Sequence, residues 1–380
     1  MNSSPPGTSP SSQFGANAWL VDRLYARFQA DRHSVDPAWW DFFEDYQPTG
    51  ANPPTRTTPS ARPAARGEPA KAPPRQPHLV NLNDEPTVEV RPATASYAET
   101  EPQVLTAGEL AADQTSLLRG AAARAAANME ASLRIPLATS MRIVPVKALI
   151  ENRTLINEQL ARERGGRVSF THLVAFAMAE ALREMPAMNV AYAQDDDGKP
   201  LLVSHEHVTL GIAIDIVKPD AARQLVVPGI KQAEKLPFAQ FWAAYDALVA
   251  RTRAGGLKVD DLTGITATLT NPGGLGTVAS VPRLMPGQGL ILGVGSLAYP
   301  ADFAGASDQT ITAMAVSKQM TLTSTYDHRV IQGAQSGEFL ALMATKLTGD
   351  DGFYDRVFAS LRIPYQPFTW QRDLPGSVEH

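Results

Sequence analysis

The stretch Thr321-Leu-Thr-Ser-Thr-Tyr-Asp-His-Arg-Val-Ile-Gln-Gly333 decides how the rest of the chain is interpreted. Its first half is rich in β-branched and aromatic residues, which favour a β-strand. Alternate side chains of a strand point to opposite faces, so Leu322, Ser324 and Tyr326 are expected to share one face. His328 follows where the strand ends, and an imidazole there can reach a cleft while rigid structure holds its backbone.

A histidine at a strand end is weak evidence for catalysis by itself, because such residues more often lie on the surface or are satisfied in the core. A second segment adds weight. Thr268-Leu-Thr-Asn-Pro-Gly-Gly-Leu-Gly-Thr277 predicts a short strand that ends at Thr270 and continues into a glycine-rich turn. Glycines permit close approach of the backbone to a neighbour, although a plain tight turn explains each single glycine equally well.

The two segments together resemble the signatures of the acyltransferase component of 2-oxo acid dehydrogenase complexes, a family related to chloramphenicol acetyltransferase. Residues 327–333, Asp-His-Arg-Val-Ile-Gln-Gly, are similar to the family pattern Asp-His-Arg-x-x-Asp-Gly. Residues 268–277 resemble its second signature, a Thr/Ser-x-Thr/Ser-Asn strand end before a glycine-rich turn. The resemblance implies an α/β fold, an α+β sandwich of the chloramphenicol acetyltransferase type in which helices cover a mixed sheet.

The resemblance also implies a site. His328 would be the general base for the thiol of coenzyme A, and Thr270 would donate a hydrogen bond to the oxyanion of the tetrahedral intermediate. In the family these two residues come from different subunits of a trimer, which implies a homotrimer or a higher assembly. Substrate and coenzyme A would contact other residues of the two signatures, namely Asn271, Gly273, Gly274, Ser324 and Arg329. Arg329 could equally be the structural partner of a carboxylate.

Gln332 departs from the family pattern, which has Asp four residues after the histidine. Glutamine carries no charge, so any electrostatic support for an imidazolium is weaker, although a hydrogen bond remains possible. We therefore include Gln332 with His328 and Thr270 as a catalytic candidate whose role is open. The sequence also contains no lipoyl domain of the kind that free-standing members carry. The resemblance then implies that the lipoyl group is supplied in trans, by the lipoyl-domain-bearing acyltransferase component of a 2-oxo acid dehydrogenase complex.

Composition predicts five regions. Residues 1–13 are rich in Ser and Pro and are expected to be disordered, and the Pro/Ala-rich residues 48–103 are expected to form a linker. Between them, residues 14–47 read as a short helical segment with more aromatic side chains than it can bury alone. The catalytic domain is expected over residues 104–360. Residues 361–380 resemble the junction that leads, in a fused branch of the family, to a thiamine-dependent domain.

Residues 14–47 resemble the N-terminal segment of 2-oxoglutarate dehydrogenases, which engages other members of the complex in that family. Docking of this segment on its own chain is an equally good interpretation. With both ends included, the chain resembles the N-terminal part of the actinobacterial multifunctional 2-oxoglutarate dehydrogenases. That resemblance implies transfer of a succinyl group in the tricarboxylic acid cycle. Thiamine diphosphate and Mg²⁺ would belong only to a downstream domain.

Composition limits other classes of function. The 380 residues carry a net charge of −5, so there is no basic footprint for nucleic acid, and no apolar run is long enough for a membrane span. The chain has no cysteine, which excludes disulfides and thiolate sites and suits a cytoplasmic protein. His205 and His207 form the only close histidine pair and lack a nearby third ligand in the sequence, so no metal site is expected.

Hydrophobic periodicity predicts the elements of the catalytic domain. Helices are expected over 117–129, 146–160, 170–185, 237–254 and 339–347, and strands over 133–145, 208–217, 224–230, 265–270, 289–294 and 314–326. Two alternative functions remain at this point. One is a trimeric scaffold whose transfer activity has decayed, and the other is a small-molecule acetyltransferase of the chloramphenicol type.

Overall fold

The computed structural model describes residues 14, 17–44, 46, 117–118, 121–163, 165–217 and 223–369. The described residues within 14–46 and 118–369 belong to one compact unit. The predicted disordered start at 1–13, the linker at 48–103, and the first residues of the predicted catalytic domain lie outside the described residues. The same holds for residues 370–380 of the predicted junction.

A mixed six-stranded sheet organises the described part of the chain. In spatial order it contains β1 (Leu137–Pro145), β10 (Gln319–Asp327), β9 (Leu290–Val294), β8 (Ala267–Thr270), β4 (Leu210–Ile212) and β7 (Gly229–Ile230). β10 is antiparallel to both of its neighbours, whereas β8 is parallel to β9 and β4. Two ribbons stand apart, β2 (Val190–Gln194) with β3 (Pro200–Ser204) and β5 (Ile214–Val217) with β6 (Arg223–Val226).

Helices cover this sheet. In chain order they are α1 (Ala18–Ala30), α2 (Trp40–Glu44), α3 (Ala121–Ser132), α4 (Lys147–Glu163), α5 (Phe170–Glu184), α6 (Phe238–Ala254), α7 (Val259–Leu262), α8 (Asp308–Ala313), α9 (Gly333–Thr348) and α10 (Phe353–Leu361). α9 packs on β1 and β10, and α4 and α5 pack on α9. α5 is buried over most of its length, as its almost wholly apolar sequence predicts. The mixed sheet and covering helices confirm the predicted fold class.

Several predicted elements have different bounds. The predicted strand over 208–217 is two strands, because the chain leaves the main sheet after Ile212 and pairs with β6 instead. The predicted segment 224–230 divides in the same way into β6 and β7. The alanine-rich helix begins at Ala121 and runs to Ser132, and the last strand begins at Gln319 rather than near residue 314. The β2–β3 hairpin and the helices α8 and α10 were not predicted.

The N-terminal segment docks on its own chain. Asn17 precedes α1, but its side chain makes no capping hydrogen bond to the helix. The side chain instead donates to the carbonyls of Val227 and Leu262 and accepts from the Val227 amide. The indole of Trp39 donates to the carbonyl of Leu257 at 3.1 Å and is 1% exposed. Both polar groups are buried and hydrogen-bonded, so the segment is held to the catalytic domain by specific hydrogen bonds as well as by apolar contact.

His172 makes the stability of the fold depend on pH. It lies in the first turn of α5, where its Nδ1 accepts from the backbone of Ser169 and its Nε2 lies 3.3 Å from Asp246. Burial lowers its pKa from 6.5 to about 4. Between pH 6.5 and about 4, His172 therefore binds a proton in the unfolded chain but not in the folded chain.

The free energy of unfolding is expected to fall as the pH drops from 6.5 toward 4, by about 1.4 kcal/mol per pH unit from this residue. Above pH 6.5 this contribution is fully present. Chemical denaturation across this range measures it, and His172→Gln is the matched control because glutamine can complete the same capping box. An equal slope in the variant would show that His172 is not the group responsible.

Candidate active site

The backbone of His328 is held from both sides at the end of β10. The amide of Asp327 donates to the carbonyl of Gly289 at 3.0 Å, and the amide of His328 donates to the carbonyl of Pro136 at 2.9 Å. The His328 side chain is exposed, and its ring lies edge-on to Tyr326 with centroids 5.5 Å apart. An exposed imidazole on a fixed backbone is well placed to accept a proton from a bound thiol.

Arg329 folds back onto Asp327 and forms a bidentate ion pair with its carboxylate. Its Nε and a terminal guanidinium nitrogen donate to the two carboxylate oxygens at 2.9 and 2.6 Å, and its backbone amide adds a third bond. The guanidinium also lies 3.7 Å from the ring centre of Tyr192 on β2. The hydrogen bond with Asp327 raises the pKa of Arg329 above its ordinary value. This geometry favours the structural alternative for Arg329, since it closes the turn around His328.

A cavity of about 250 Å³ adjoins this turn. Asp327, Arg329 and Tyr192 line one side, and the segment from Pro286 to Gln288 lines another. Gln288 is itself held in place, because the hydroxyl of Thr268 donates to its side-chain oxygen at 2.7 Å. The cavity therefore has a polar, preorganised wall that includes Asp327 and Arg329, the two residues that flank His328 in sequence.

Thr270 ends β8 and is half-buried, opposite Gly293 of β9. The next residue, Asn271, donates from its side chain to the hydroxyl of Thr171 on α5 at 2.8 Å, which ties the strand end to a buried helix. Gly273 passes so close to the backbone of Gly295 that a Cβ there would lie 2.3 Å from its carbonyl. The glycine-rich turn is thus shaped by a real close approach at Gly273, whereas a Cβ at Gly274 would meet nothing within 4 Å.

This contrast gives a matched pair of substitutions. Gly273→Ala is expected to destabilise the protein by about 1–3 kcal/mol, because backbone rather than a flexible side chain must move. Gly274→Ala is expected to stay within about 0.5 kcal/mol of the parent. Thermal unfolding of both variants measures the difference. Equal midpoints would contradict the close packing of this turn.

The register of the sheet separates His328 from Thr270 within one chain. Thr270 pairs with Gly293, which pairs with Thr323 on β10, five residues before His328. At about 3.3 Å per residue, the two positions are about 17 Å apart along the strand direction. One chain therefore does not bring the two predicted catalytic residues together.

The remaining predicted residues have other environments. Ser324 is fully buried, and its hydroxyl accepts from that of Ser336 on α9 at 2.8 Å. Its predicted contact with coenzyme A stays a prediction that this burial disfavours. Gln332 is exposed immediately before α9, four residues from His328, and its backbone amide donates to the side chain of Gln335. Its position allows a contact with a ligand at His328.

Sequence comparison assigns the family. The model of the 2-oxoacid dehydrogenases acyltransferase catalytic domain matches residues 111–349, which include both signatures. The chain belongs to this acyltransferase family. The model of the 2-oxoglutarate dehydrogenase N-terminus matches residues 10–50. The resemblance inferred from residues 268–277 and 327–333 is therefore confirmed.

Relatives of this acyltransferase are much longer than the chain. The multifunctional 2-oxoglutarate metabolism enzyme of Mycolicibacterium vanbaalenii is 47% identical over 97% of this chain and 30% of its own length. That of Mycobacterium sp. strain KMS is 44% identical over 100% of this chain and 32% of its own length. The chain thus spans about a third of the length of these relatives.

Solved structures show the same fold. A probable dihydrolipoamide acetyltransferase from Listeria monocytogenes has a TM-score of 0.53 at 25% identity and covers 68% of this chain and 100% of its own. The cubic core of a pyruvate dehydrogenase multienzyme complex has a TM-score of 0.56 at 23% identity and covers 67% of this chain and 99% of its own. Each of these structures thus covers about two thirds of this acyltransferase chain.

Three residues that position the site were not predicted. Tyr192 stacks on Arg329, Thr171 accepts from Asn271, and Ser336 donates to Ser324. A signal existed for the first, since residues 190–204 contain two short strand-like runs around an Asp-Gly turn. No short-range signal marks the other two, because each partner is distant in sequence or belongs to another element.

Within the described ranges, no helix is both long and apolar enough to cross a membrane.

Proposed function

We propose that this acyltransferase moves a succinyl group from a dihydrolipoyl thioester to coenzyme A, at a site formed by His328 of one copy and Thr270 of another. Family membership supports the class of reaction. The observation that carries the arrangement is the register of the sheet: Thr270 ends β8 and His328 follows β10 at opposite edges of the sheet along the strand direction, with β9 between the two strands. A site that uses both of them therefore needs a second copy of the chain.

The reaction follows from the chemistry of the two side chains. Neutral His328 accepts the proton of the coenzyme A thiol, and the thiolate attacks the carbonyl carbon of the thioester. The hydroxyl of Thr270 donates a hydrogen bond to the oxyanion of the tetrahedral intermediate. The intermediate collapses, the bond to the dihydrolipoyl sulfur breaks, and that sulfur takes the proton from His328. The base is then neutral again.

Exposed apolar side chains support contact between copies. Leu275, Val278 and Val281 follow Thr270 in the chain and are 73, 66 and 59% exposed. Met141 and Ile143 are exposed on β1, an edge strand of the main sheet. Exposed apolar patches and free edge strands both favour association. We propose a homotrimer or higher assembly that buries these surfaces.

The proposal also names the protein that supplies the lipoyl group and the acyl group that is transferred. The lipoyl group would come from the lipoyl-domain-bearing acyltransferase component of a 2-oxo acid dehydrogenase complex, in the cytoplasm. The names of the relatives, which act in 2-oxoglutarate metabolism, support succinyl as the group transferred. Oxidative decarboxylation of 2-oxoglutarate yields a succinyl group, so the acyl preference is a direct test of this assignment.

Thr270 offers a test of the oxyanion contact. Thr270→Val keeps the shape of the side chain and removes the hydroxyl, so turnover is expected to fall by about 10²–10³-fold. Thr270→Ser keeps the hydroxyl and is expected to retain most of the activity. The measurement is the rate of coenzyme A-dependent transfer from succinyl-dihydrolipoamide. Equal rates in the two variants would remove Thr270 from the mechanism.

The same assay separates the enzyme from a scaffold. The proposal predicts transfer of succinyl to coenzyme A at a higher kcat/KM than transfer of acetyl. Binding of coenzyme A, followed by calorimetry, is the companion measurement. A folded assembly that neither binds coenzyme A nor turns over would contradict the transferase and support the scaffold, with Gln332 as the sign of lost activity.

A further inference from the structure

The N-terminal helix borders a second cavity, whose lining contains no residue of the two acyltransferase signatures. It lies between α1 and the body of the catalytic domain and has a volume of about 350 Å³. We call it the α1 cavity, and its floor and sides include Leu24 of α1, Ile216 of β5 and the buried Leu257. This volume is within the range of small-molecule sites, which are mostly apolar with a few polar groups.

The charged residues that line the α1 cavity are both arginines. Arg23 of α1 and Arg253 near the end of α6 both line it and are exposed at its mouth. Neither has an ion-pair partner among the described residues of the chain. The carboxylate next to Arg23 in sequence, Asp22, is engaged with the hydroxyl of Tyr46. The mouth of the cavity therefore carries two positive charges without a carboxylate in its lining.

Gln224 provides an independent observation. It lies on β6 and lines the same cavity, and its Nε2 is buried without a hydrogen-bond acceptor among the described residues. A buried donor without an acceptor costs free energy unless something in the cavity accepts from it. Two guanidinium groups without an ion-pair partner and one amide nitrogen without an acceptor among the described residues thus line one partly apolar cavity.

We infer that the α1 cavity binds a small organic anion, with a carboxylate or similar head at Arg23, Arg253 and Gln224 and an apolar body against Leu24, Ile216 and Leu257. The walls come from both α1 and the catalytic domain, so the bound anion bridges them. Occupancy is then expected to stabilise the docking of the N-terminal segment, because a ligand that binds only the docked form shifts the equilibrium toward it. This inference does not depend on the acyltransferase activity.

Hexanoate is a suitable probe, since it joins a carboxylate to a short apolar chain. Its binding to the full chain would be titrated by calorimetry at low ionic strength, beside hexanamide, which lacks the charge, and acetate, which lacks the chain. Hexanoate is expected to bind at least about tenfold more tightly than either control, because a charge-assisted hydrogen bond and apolar burial each contribute on that scale. Added salt is expected to weaken the binding.

Variants locate the site. Arg23→Gln and Arg253→Gln are each expected to weaken hexanoate binding about tenfold, and Arg162→Gln, a change of the same kind on α4, is expected to leave it unchanged. Both target residues are exposed, so the variants are expected to fold, and thermal unfolding without ligand checks this. Undetectable binding of hexanoate, equal binding of hexanamide, or unchanged affinity in the doubly substituted chain would each overturn the inference.

Discussion

His328→Ala is expected to reduce coenzyme A-dependent succinyl transfer by about 10²–10⁴-fold, the usual effect of losing a general base. Because the His328 side chain is exposed and only its backbone is bonded, the variant is expected to fold and to unfold at the same temperature as the parent. The loss should appear mainly in kcat, since the imidazole acts on the thiol in the chemical step. Raising the pH is expected to recover part of the activity, as more coenzyme A becomes thiolate without help.

The matched control is His33→Ala, which removes an exposed histidine from the N-terminal segment. It is expected to retain the activity of the parent. An unchanged rate in His328→Ala, with the assembly intact, would mean that the thiol loses its proton to another group or to solvent. The transfer would then have to be explained without His328.

Lys346→Met is expected to destabilise the protein by about 1–3 kcal/mol, because it removes the buried ammonium that donates to the carboxylates of Glu184 and Asp351. The Lys346 side chain is fully buried on α9, and its ammonium donates to Glu184 at 2.6 Å and to Asp351 at 3.0 Å. Glu180, on the same face of α5, is 3.7 Å away and is paired mainly with Arg356. The three carboxylates have oxygens within 4.8 Å of one another, as in a cation site, and the ammonium of Lys346 serves as the cation.

Chemical denaturation of Lys346→Met and of Lys318→Met measures this effect. Lys318 is an exposed lysine in the loop before β10, and its replacement is expected to change stability by less than about 0.5 kcal/mol. Although burial raises it, hydrogen bonds with Lys346 and Arg356 lower the pKa of Asp351 below its ordinary value. Protonation of Asp351 in acid should therefore shrink the difference between the two variants. Similar stabilities of the two variants at neutral pH would contradict an essential buried network.

The fold class followed from the sequence because its strongest signals are local. The alternation in residues 321–326 and the apolar run of α5 each specify an element by their own period. The division between β4 and β5 could not be predicted in this way, since Leu210 to Ile214 contains no polar residue to mark a break at Ala213. What divides it is the choice of partner strand, β8 for one half and β6 for the other, and that choice is made by residues far away in sequence.

For the candidate site, too, the sequence predicted local features but not contacts between distant residues. The signatures predict His328 and Thr270 as site residues, and the structure places each of them at the end of its strand. The role of Arg329 needed the structure, since only the positions of Asp327 and Tyr192 distinguish a substrate contact from a structural ion pair. The docking of Asn17 and Trp39 was likewise beyond the sequence, because their partners are backbone carbonyls more than 200 residues away.

The most direct measurement co-assembles two differently tagged variants, His328→Ala and Thr270→Val, and compares their succinyl transfer with that of each variant alone. If a site takes His328 from one copy and Thr270 from the next, about a quarter of the sites in a random equal mixture regain both residues. The mixture should then recover about a quarter of the parent activity, far above either variant. Activity no higher than the mean of the two variants would contradict a site shared between copies.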